Sequence, residues 1–376
     1  MPIYRDSDAV VEAGPAAAVR VALLTPPGRG ALAVVGVVGP GAAACVDRLF
    51  DSRGAAVALR GDGAVCFGRW RAAAGSAGEE LIVVRHAPDL IEVQCHGGEA
   101  AAAAVIESLV GAGAERMALE AWLRARGHSE IEVEARTAMA VAGGPKAARI
   151  LSRQLAGKLA GELARIEQLR TAGDAAAAEE LVARLLRAAR VGLRLTRPWR
   201  VVVAGGVNAG KSSLVNAIAG HARSIVSAVP GTTRDLVTSR LVLDGWEVDL
   251  VDTAGLRDDD AAAGAVERAG IARAVAAQAD ADLVLRVVAW DDVEGRACRP
   301  RPGELLVISK SDLAGGRVEV ADQRAVATSA ATGEGLESLV ARIVERLVPE
   351  EQDDPGLLVG AVPFTGRQVG MIRGIA

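Results

Sequence analysis

The sequence predicts an α/β protein: a doubly wound parallel sheet of the P-loop kind, with an α+β unit and a helical arm in front of it. Three observations carry the prediction. Residues 201–204 (Val-Val-Val-Ala) run straight into GGVNAGKSS at 205–213 and on into LVNAI, which reads as strand, glycine-rich turn and helix in succession. Further strand-like runs at 237–243, 247–251, 283–289, 305–309 and 325–328 continue the pattern as far as residue 348, with helices expected to begin at Lys211, near Val266 and at Leu336. That alternation winds helices over both faces of a sheet and leaves a ligand at the C-terminal ends of its strands. Upstream, Ile150, Leu151, Leu155, Leu159, Leu163 and Ile166, then Leu181, Leu185, Leu186 and Leu193, fall at helical steps.

The glycine-rich turn fits G-x-x-x-x-G-K-[ST] from Gly205 to Ser212. Glycines let the backbone curl so that successive N–H groups point at a phosphate, and the following helix adds its positive end. Lys211 would reach the β- and γ-phosphates and the Ser212 hydroxyl would ligate Mg²⁺. Gly205, Asn208, Ala209, Gly210, Lys211, Ser212 and Ser213 are therefore the nucleotide-binding candidates of this loop.

Length and composition bound the rest. At 376 residues, with 51% hydrophobic and 24% charged residues, the chain has material for two or three domains. Aromatic residues make up only 2%, so alanine and valine must do much of the packing. A net charge of −4 gives no global attraction to nucleic acid, and an RNA partner would need a local patch. Cys45, Cys66, Cys95 and Cys298 lack metal-ligand spacing. No signal-peptide pattern and no apolar stretch of about 20 residues is present, so a cytoplasmic location and no membrane partner are expected.

In chain order, residues 1–118 hold strand-like runs at 20–24, 31–35, 63–70, 80–84 and 90–94 and a helical run at 99–111, an α+β unit. His96, beside Gly97 and Gly98, is either a ligand contact or a turn residue. Residues 119–197 form the helical domain, in which Thr171-Ala-Gly-Asp174 separates two antiparallel helices and Pro198 marks the end. Residues 198–348 form the nucleotide-binding domain, with Asp244-Gly245 as a hairpin turn between its second and third strands. Residues 349–376 begin as an acidic linker and end in a short helix-capable piece.

Further motifs follow the loop in the order that GTP binding and hydrolysis need. Pro230-Gly-Thr-Thr-Arg-Asp235 supplies Thr232 or Thr233 to close on Mg²⁺ and the γ-phosphate. Asp252-Thr-Ala-Gly255 places a carboxylate for the Mg²⁺ shell and a backbone N–H for the γ-phosphate. Ser309-Lys-Ser-Asp312 offers Asp312 to guanine N1 and N2 and the stem of Lys310 over the base. Thr328-Ser-Ala330 brings the backbone of Ser329 and Ala330 to the O6 edge. Each motif is common alone; the ordered set is specific.

This set, together with Val266-Glu-Arg-Ala-Gly-Ile271, resembles the G domain of the MnmE (TrmE) family, potassium-dependent GTPases of tRNA wobble-uridine modification. Thr25-Pro-Pro-Gly-Arg-Gly30 and Glu92-Val-Gln-Cys-His-Gly-Gly98 resemble the family's folate-binding and dimerisation domain. Val362-Pro-Phe-Thr-Gly-Arg-Gln368 resembles the point where the chain returns to its helical domain. The resemblance implies a homodimer that binds GTP and GDP, with Mg²⁺ at Ser212, Thr233 and Asp252. It implies K⁺ held by Asn208 and roughly residues 224–231, in the place of an arginine finger. Leu256 stands where a water-orienting glutamine is usual, and the resemblance gives that task to Glu267, with Lys211 and Thr233 as the other catalytic residues. A folate (5-formyl- or methylene-tetrahydrofolate), an MnmG-type flavoprotein and tRNA are the further cofactor and partners it implies.

Four departures bear on the tRNA chemistry. The family closes on a helical Cys-x-Gly-Lys segment, whereas the sequence runs to Ala376 with no Cys after Cys298. Gly36 and Val38 hold positions where the family's strand carries Arg and Ser. The joining stretch is degraded at 132–151, and Ser309 replaces the Asn of N-K-x-D. Two readings stay open: an MnmE-like GTPase of tRNA modification, or a divergent regulatory GTPase without that activity. A nucleotide-binding module without turnover is a third.

Overall fold

The computed structural model describes residues 18–26, 28, 30–71, 78–221, 237–252, 278–315 and 325–375. The chain divides into two compact units, residues 1–133 and 134–376.

In the first unit, seven strands lie in the order β3-β4-β5-β6-β2-β1-β7. They are β1 (Arg20–Leu23), β2 (Leu32–Val38), β3 (Phe50–Ser52), β4 (Ala64–Trp70), β5 (Glu79–Ala87), β6 (Leu90–His96) and β7 (Glu115–Arg116). The five strand-like runs of the sequence all form; β3 and β7 are too short for a period-2 pattern to register. Alternation sets the two faces. Val35, Val37, Val83, Ile91, Val93 and Cys95 point to one side and pack with helix Glu99–Gly111 through Val105, Ile106 and Leu109. Leu24, Val38 and Leu90 point to the other and meet Trp122 and Leu123.

The second unit holds a six-stranded sheet in the order β13-β12-β11-β8-β10-β9. Its members are β8 (Trp199–Gly205), β9 (Val237–Leu243), β10 (Trp246–Asp252), β11 (Leu283–Ala289), β12 (Glu304–Ser309) and β13 (Ala325–Ala327). All six coincide with strand-like runs of the sequence. All neighbours pair in parallel except β9 and β10, which form the hairpin that Asp244-Gly245 predicts. Asp244 itself sits at φ +44° and Gly245 at +82°, the left-handed pair that such a two-residue turn requires. The strand order reverses at β8, so the turn after β8 opens into the crevice of the sheet. Helices begin at Lys211 and Leu336 as expected; Val266 lies outside the described residues.

The helical part is more segmented than its leucine stripe suggests. The run from Ile150 to Ile166 belongs to two helices, Pro145–Leu155 and Lys158–Thr171, parted at Gly157, which takes φ +93°. Helix Ala175–Gly192 follows, capped by Asp174 through its side chain to the Ala177 N–H at 3.1 Å. Leu193 sits past the end of that helix and is exposed, against the expectation that it joins the stripe. The acidic stretch after residue 349 is not a plain linker but a short helix, Glu350–Asp353. The last helix, Gly366–Ile375, packs on helix Ala175–Gly192.

Polar side chains, Gln154 and Gln368 buried among them, pin this tail. The Gln154 side-chain amide donates to Gly360 O at 3.2 Å and accepts from Val362 N–H at 3.1 Å. Glu134 accepts from Arg367 twice at 2.8 Å and from Gln368 Nε2 at 2.7 Å. Burial pushes the Glu134 carboxyl up, but the bonds from Arg367, Gln368 and Thr365 outweigh it and hold it below the usual carboxylate value. A Cβ on Gly192 would fall 1.8 Å from Pro363 O, so only glycine lets the tail cross there.

Candidate nucleotide site

The strand-to-helix turn at 205–211 is built by its backbone. A Cβ on Gly205 would stand 2.2 Å from Val287 O, so the end of β8 can lie against β11 only without a side chain. Asn208 (φ +59°) and Gly210 (φ +82°) take left-handed conformations, which Asn tolerates better than most residues and Gly at no cost. The curl ends in helix Lys211–His221, whose Leu214, Val215 and Ile218 are buried.

Gly205, Gly206, Val207, Asn208 and Ala209 line one wall of a cavity of about 510 Å³; the opposite wall comes from Arg286 to Ala289, Asp291, Asp292 and Lys310. The Lys211 ammonium folds back on the loop and donates to Gly205 O at 3.1 Å and Gly206 O at 2.8 Å. At the helix start the Ser212 hydroxyl donates to Asp252 Oδ2 at 2.6 Å. This contact joins two residues 40 positions apart that the sequence assigned to one cation. Asp252 is buried, whereas Ser212, Ser213 and Asn208 are exposed. A hydroxyl and a carboxylate side by side are hard oxygen donors of the type that suits Mg²⁺.

Ser309 has a role that the sequence did not disclose. At the end of β12 and 5% exposed, its hydroxyl donates to Ala209 O at 2.6 Å, with Val288 O 3.3 Å away. The residue that departs from N-K-x-D thus ties the glycine-rich turn to β12. Nothing in the local sequence signals the bond, because Ser309 and Ala209 are 100 positions apart. Lys310 follows at φ +59° and faces the cavity. Asp312 lies exposed in the turn Ser311–Ala314. The Ser311 N–H donates to Thr328 O at 3.1 Å and so brings the two base-recognition candidates together. Ser329 is buried, its N–H bonded to Glu334 O and its hydroxyl accepting from Thr332 N–H, with Ala330 half-buried beside it. Thr232, Thr233, Gly255, Leu256 and Glu267 lie outside the described residues.

In the first unit, the two quoted N-terminal motifs meet. Gly97 N–H bonds to Ala31 O at 2.9 Å, and a Cβ on Gly97 would fall 1.8 Å from Gly30 O. His96 is exposed, with Nδ1 2.5 Å from Glu79 Oε1. A Cβ on Gly36 would lie 2.5 Å from the Trp122 ring and 3.0 Å from Leu24. The indole therefore occupies the room beside Gly36, and with Val38 it makes an apolar pack where the resemblance would supply Arg and Ser.

Residues 200–310 match the family described as 50S ribosome-binding GTPases. With the glycine-rich turn and the sheet order, this defines the second unit's class: a P-loop GTPase domain, and hence a GTP-hydrolysing enzyme. The similarity extends well beyond it. The tRNA modification GTPase MnmE of Alkalilimnicola ehrlichii is 34% identical over 368 residues, which cover 85% of this chain and 79% of that protein. MnmE of Chlamydia trachomatis serovar L2 is 32% identical over 369 residues, 84% of this chain and 78% of the relative. A narrower match, 45% identical over 172 residues, joins 44% of this chain to 38% of MnmE from Xanthomonas euvesicatoria. The chain belongs to the MnmE family of tRNA modification GTPases.

Proposed function

We propose that this chain is a GTPase of tRNA wobble-uridine modification whose hydrolysis is assisted by K⁺. The observation that carries the GTPase mechanism is the Ser212–Asp252 contact beside a glycine-rich turn with Asn208 in the left-handed conformation. Mg²⁺ would be held by Ser212 and Asp252 with Thr233, and it would neutralise charge on the β- and γ-phosphates. Asn208 offers K⁺ a neutral oxygen at the turn. Lys211 steadies the phosphates, Glu267 orients the attacking water, and Lys310, Asp312, Ser329 and Ala330 receive guanine. The alternative, a regulatory GTPase without tRNA chemistry, draws on Gly36 and Val38, which with Trp122 make an apolar pack where the resemblance would supply Arg and Ser. No step is assigned to a folate.

Single-turnover hydrolysis in matched KCl and NaCl tests the ion. Na⁺ should slow the step by about tenfold or more, since comparable charge stabilisers contribute ~10²–10³. Glu267→Ala should slow it while sparing GTP affinity. Rates within twofold of each other in the two salts refute the K⁺ assignment. Measuring modified wobble uridine after gene deletion separates tRNA modification from the regulatory alternative.

A homodimer through the first unit is the second part of the reading. Strand pairing places Val65, Phe67, Ile82 and Leu32 on the sheet face opposite the Val35–Val93 core, and they are 68%, 42%, 37% and 60% exposed. Such a face favours association. Phe67→Glu with Ile82→Glu should turn a dimer into a monomer in sedimentation at micromolar concentration; a wild-type monomer refutes the idea. Among the described residues no helix is long and apolar enough to cross a membrane. A cytoplasmic enzyme and an MnmG-type flavoprotein partner complete the proposal.

A further inference from the structure

The sheet of the second unit has two ends. Residues at the C-terminal ends of the parallel strands make the nucleotide site. At the other end the helical residues take hold. Arg194 pairs with Asp282, and Arg190 binds Glu350 through two bonds. The turn of the β9–β10 hairpin is held by residues 143–146. Glu247 N–H donates to Gly143 O at 3.1 Å, and Lys146 N–H donates to Gly245 O at 3.2 Å. Gly144 sits at φ +106°, and a Cβ there would lie 2.7 Å from Gly245 O, so the approach needs glycine. Lys146 Nζ then bridges Asp244 Oδ2 at 2.8 Å and Glu351 Oε2 at 2.9 Å. Burial works against this charge, but Asp244 and Glu351 more than offset it and hold the ammonium above its usual pKa.

The hairpin is a stiff element. Its strands stay in register from Val237–Asp252 pairing to Leu243–Trp246 pairing. A two-bond Arg240–Asp249 fork, at 2.8 and 3.1 Å, crosses it midway. β8 flanks it on the other side. At about 3.3 Å per residue, β10 carries any axial shift over roughly 20 Å. Its far end is Asp252, which accepts from Ser212 at the nucleotide site. One hydrogen-bonded strand is thus fastened at one end to the first turn of the helix that follows the phosphate-binding turn, and at the other to Gly143, with Lys146 holding the adjoining hairpin turn.

We infer that Lys146 is a positioning residue of the nucleotide site, acting through the β9–β10 hairpin on Asp252, and that it couples the nucleotide bound to the packing of the helices. A strand neither stretches nor compresses appreciably. A ligand that shifts the Asp252 backbone relative to Ser212 therefore slides or tilts β10. That motion disturbs the two backbone bonds and two ion pairs at the turn. Coupling between sites is reciprocal, so weakening the turn must change the affinities for the two nucleotide states unequally. The inference rests on GTP binding at the glycine-rich turn.

The test uses the full chain with Lys146→Met, Lys146→Arg, Asp244→Asn and Glu351→Gln. Two dissociation constants are measured for each protein, for GDP and for a non-hydrolysable GTP analogue, along with amide exchange over residues 143–155 in both states. The expected result is a ratio of the two constants shifted by more than twofold in Lys146→Met. The nucleotide-dependent difference in exchange should shrink, and Lys146→Arg should restore both. A staple with no coupling role would lower thermal stability and leave the ratio alone. A ratio within twofold of wild type overturns the inference; if Lys146→Met does not fold, Asp244→Asn and Glu351→Gln are judged by the same criterion. Failure of the wild type to bind either nucleotide would instead refute the GTP site itself.

Discussion

Replacing Ser309 by alanine should loosen the nucleotide-binding turn without changing which base is read. The hydroxyl has one proton and two carbonyls within reach, and the 2.6 Å contact to Ala209 O is the bond that matters. Ser309 and Ala209 are each 5% exposed, so water cannot readily replace the lost donor. A buried neutral hydrogen bond contributes ~1 kcal/mol net, rising to ~3 kcal/mol when a partner is left unpaired. At about 1.4 kcal/mol per tenfold, nucleotide affinity should fall roughly 5- to 100-fold to the extent that binding must re-order the turn. GDP and GTP should weaken together, because the bond anchors the loop rather than the γ-phosphate. The preference for guanine over xanthine should persist, because Asp312 is untouched. Displacement of a fluorescent GDP by GDP, GTP and xanthosine diphosphate measures all three. A GDP dissociation constant within twofold of wild type would show that the Ser309 bond does not hold the turn, and the argument would fail.

Asp312→Asn should act in the complementary way, weakening GTP by ~1–3 kcal/mol through unpaired polar groups and improving xanthine nucleotide; equal wild-type affinity for ATP and GTP would rule out guanine recognition in the same assay. Acid should weaken the attachment of the tail. The Glu134 carboxyl is held below its ordinary value of 4.5, so its contribution is complete above about pH 4.5 and is lost as the pH falls through the lower folded value. Glu350, which burial raises but Arg190 and its own backbone N–H together bring below the same ordinary value, has the same sign. Glu134→Gln should therefore destabilise at neutral pH and flatten the acid limb of a melting-temperature profile; an unchanged limb refutes the assignment.

The loop residues were legible one by one because their chemistry is local. Gly205, Gly210 and Asn208 are demanded by a backbone curl, and a curl between a strand and a helix is a short-range pattern. The same holds for Asp244-Gly245, where two left-handed residues in a row leave few alternatives to a hairpin. Legibility ended where a pattern was too short or too regular. Strands β3 and β7 contain too few residues for alternation. The leucine stripe concealed the break at Gly157, because helical periodicity continues in phase across a short gap.

The sequence by itself determined the doubly wound sheet, the helical arm, the phosphate-binding turn and the order of the motifs that follow it. Each of these follows from periodicity, turn chemistry or spacing, which are properties of near neighbours. The tertiary structure alone decided which distant residues share a bond. It placed Ser212 on Asp252, Ser309 on Ala209, Trp122 in the space left by Gly36, and Lys146 between Asp244 and Glu351. These pairings depend on the register of β8 with β10 and β11 and on how closely glycines let two backbones approach. Register is set by the burial of whole strand faces, a sum over the assembled sheet that no local stretch of sequence contains.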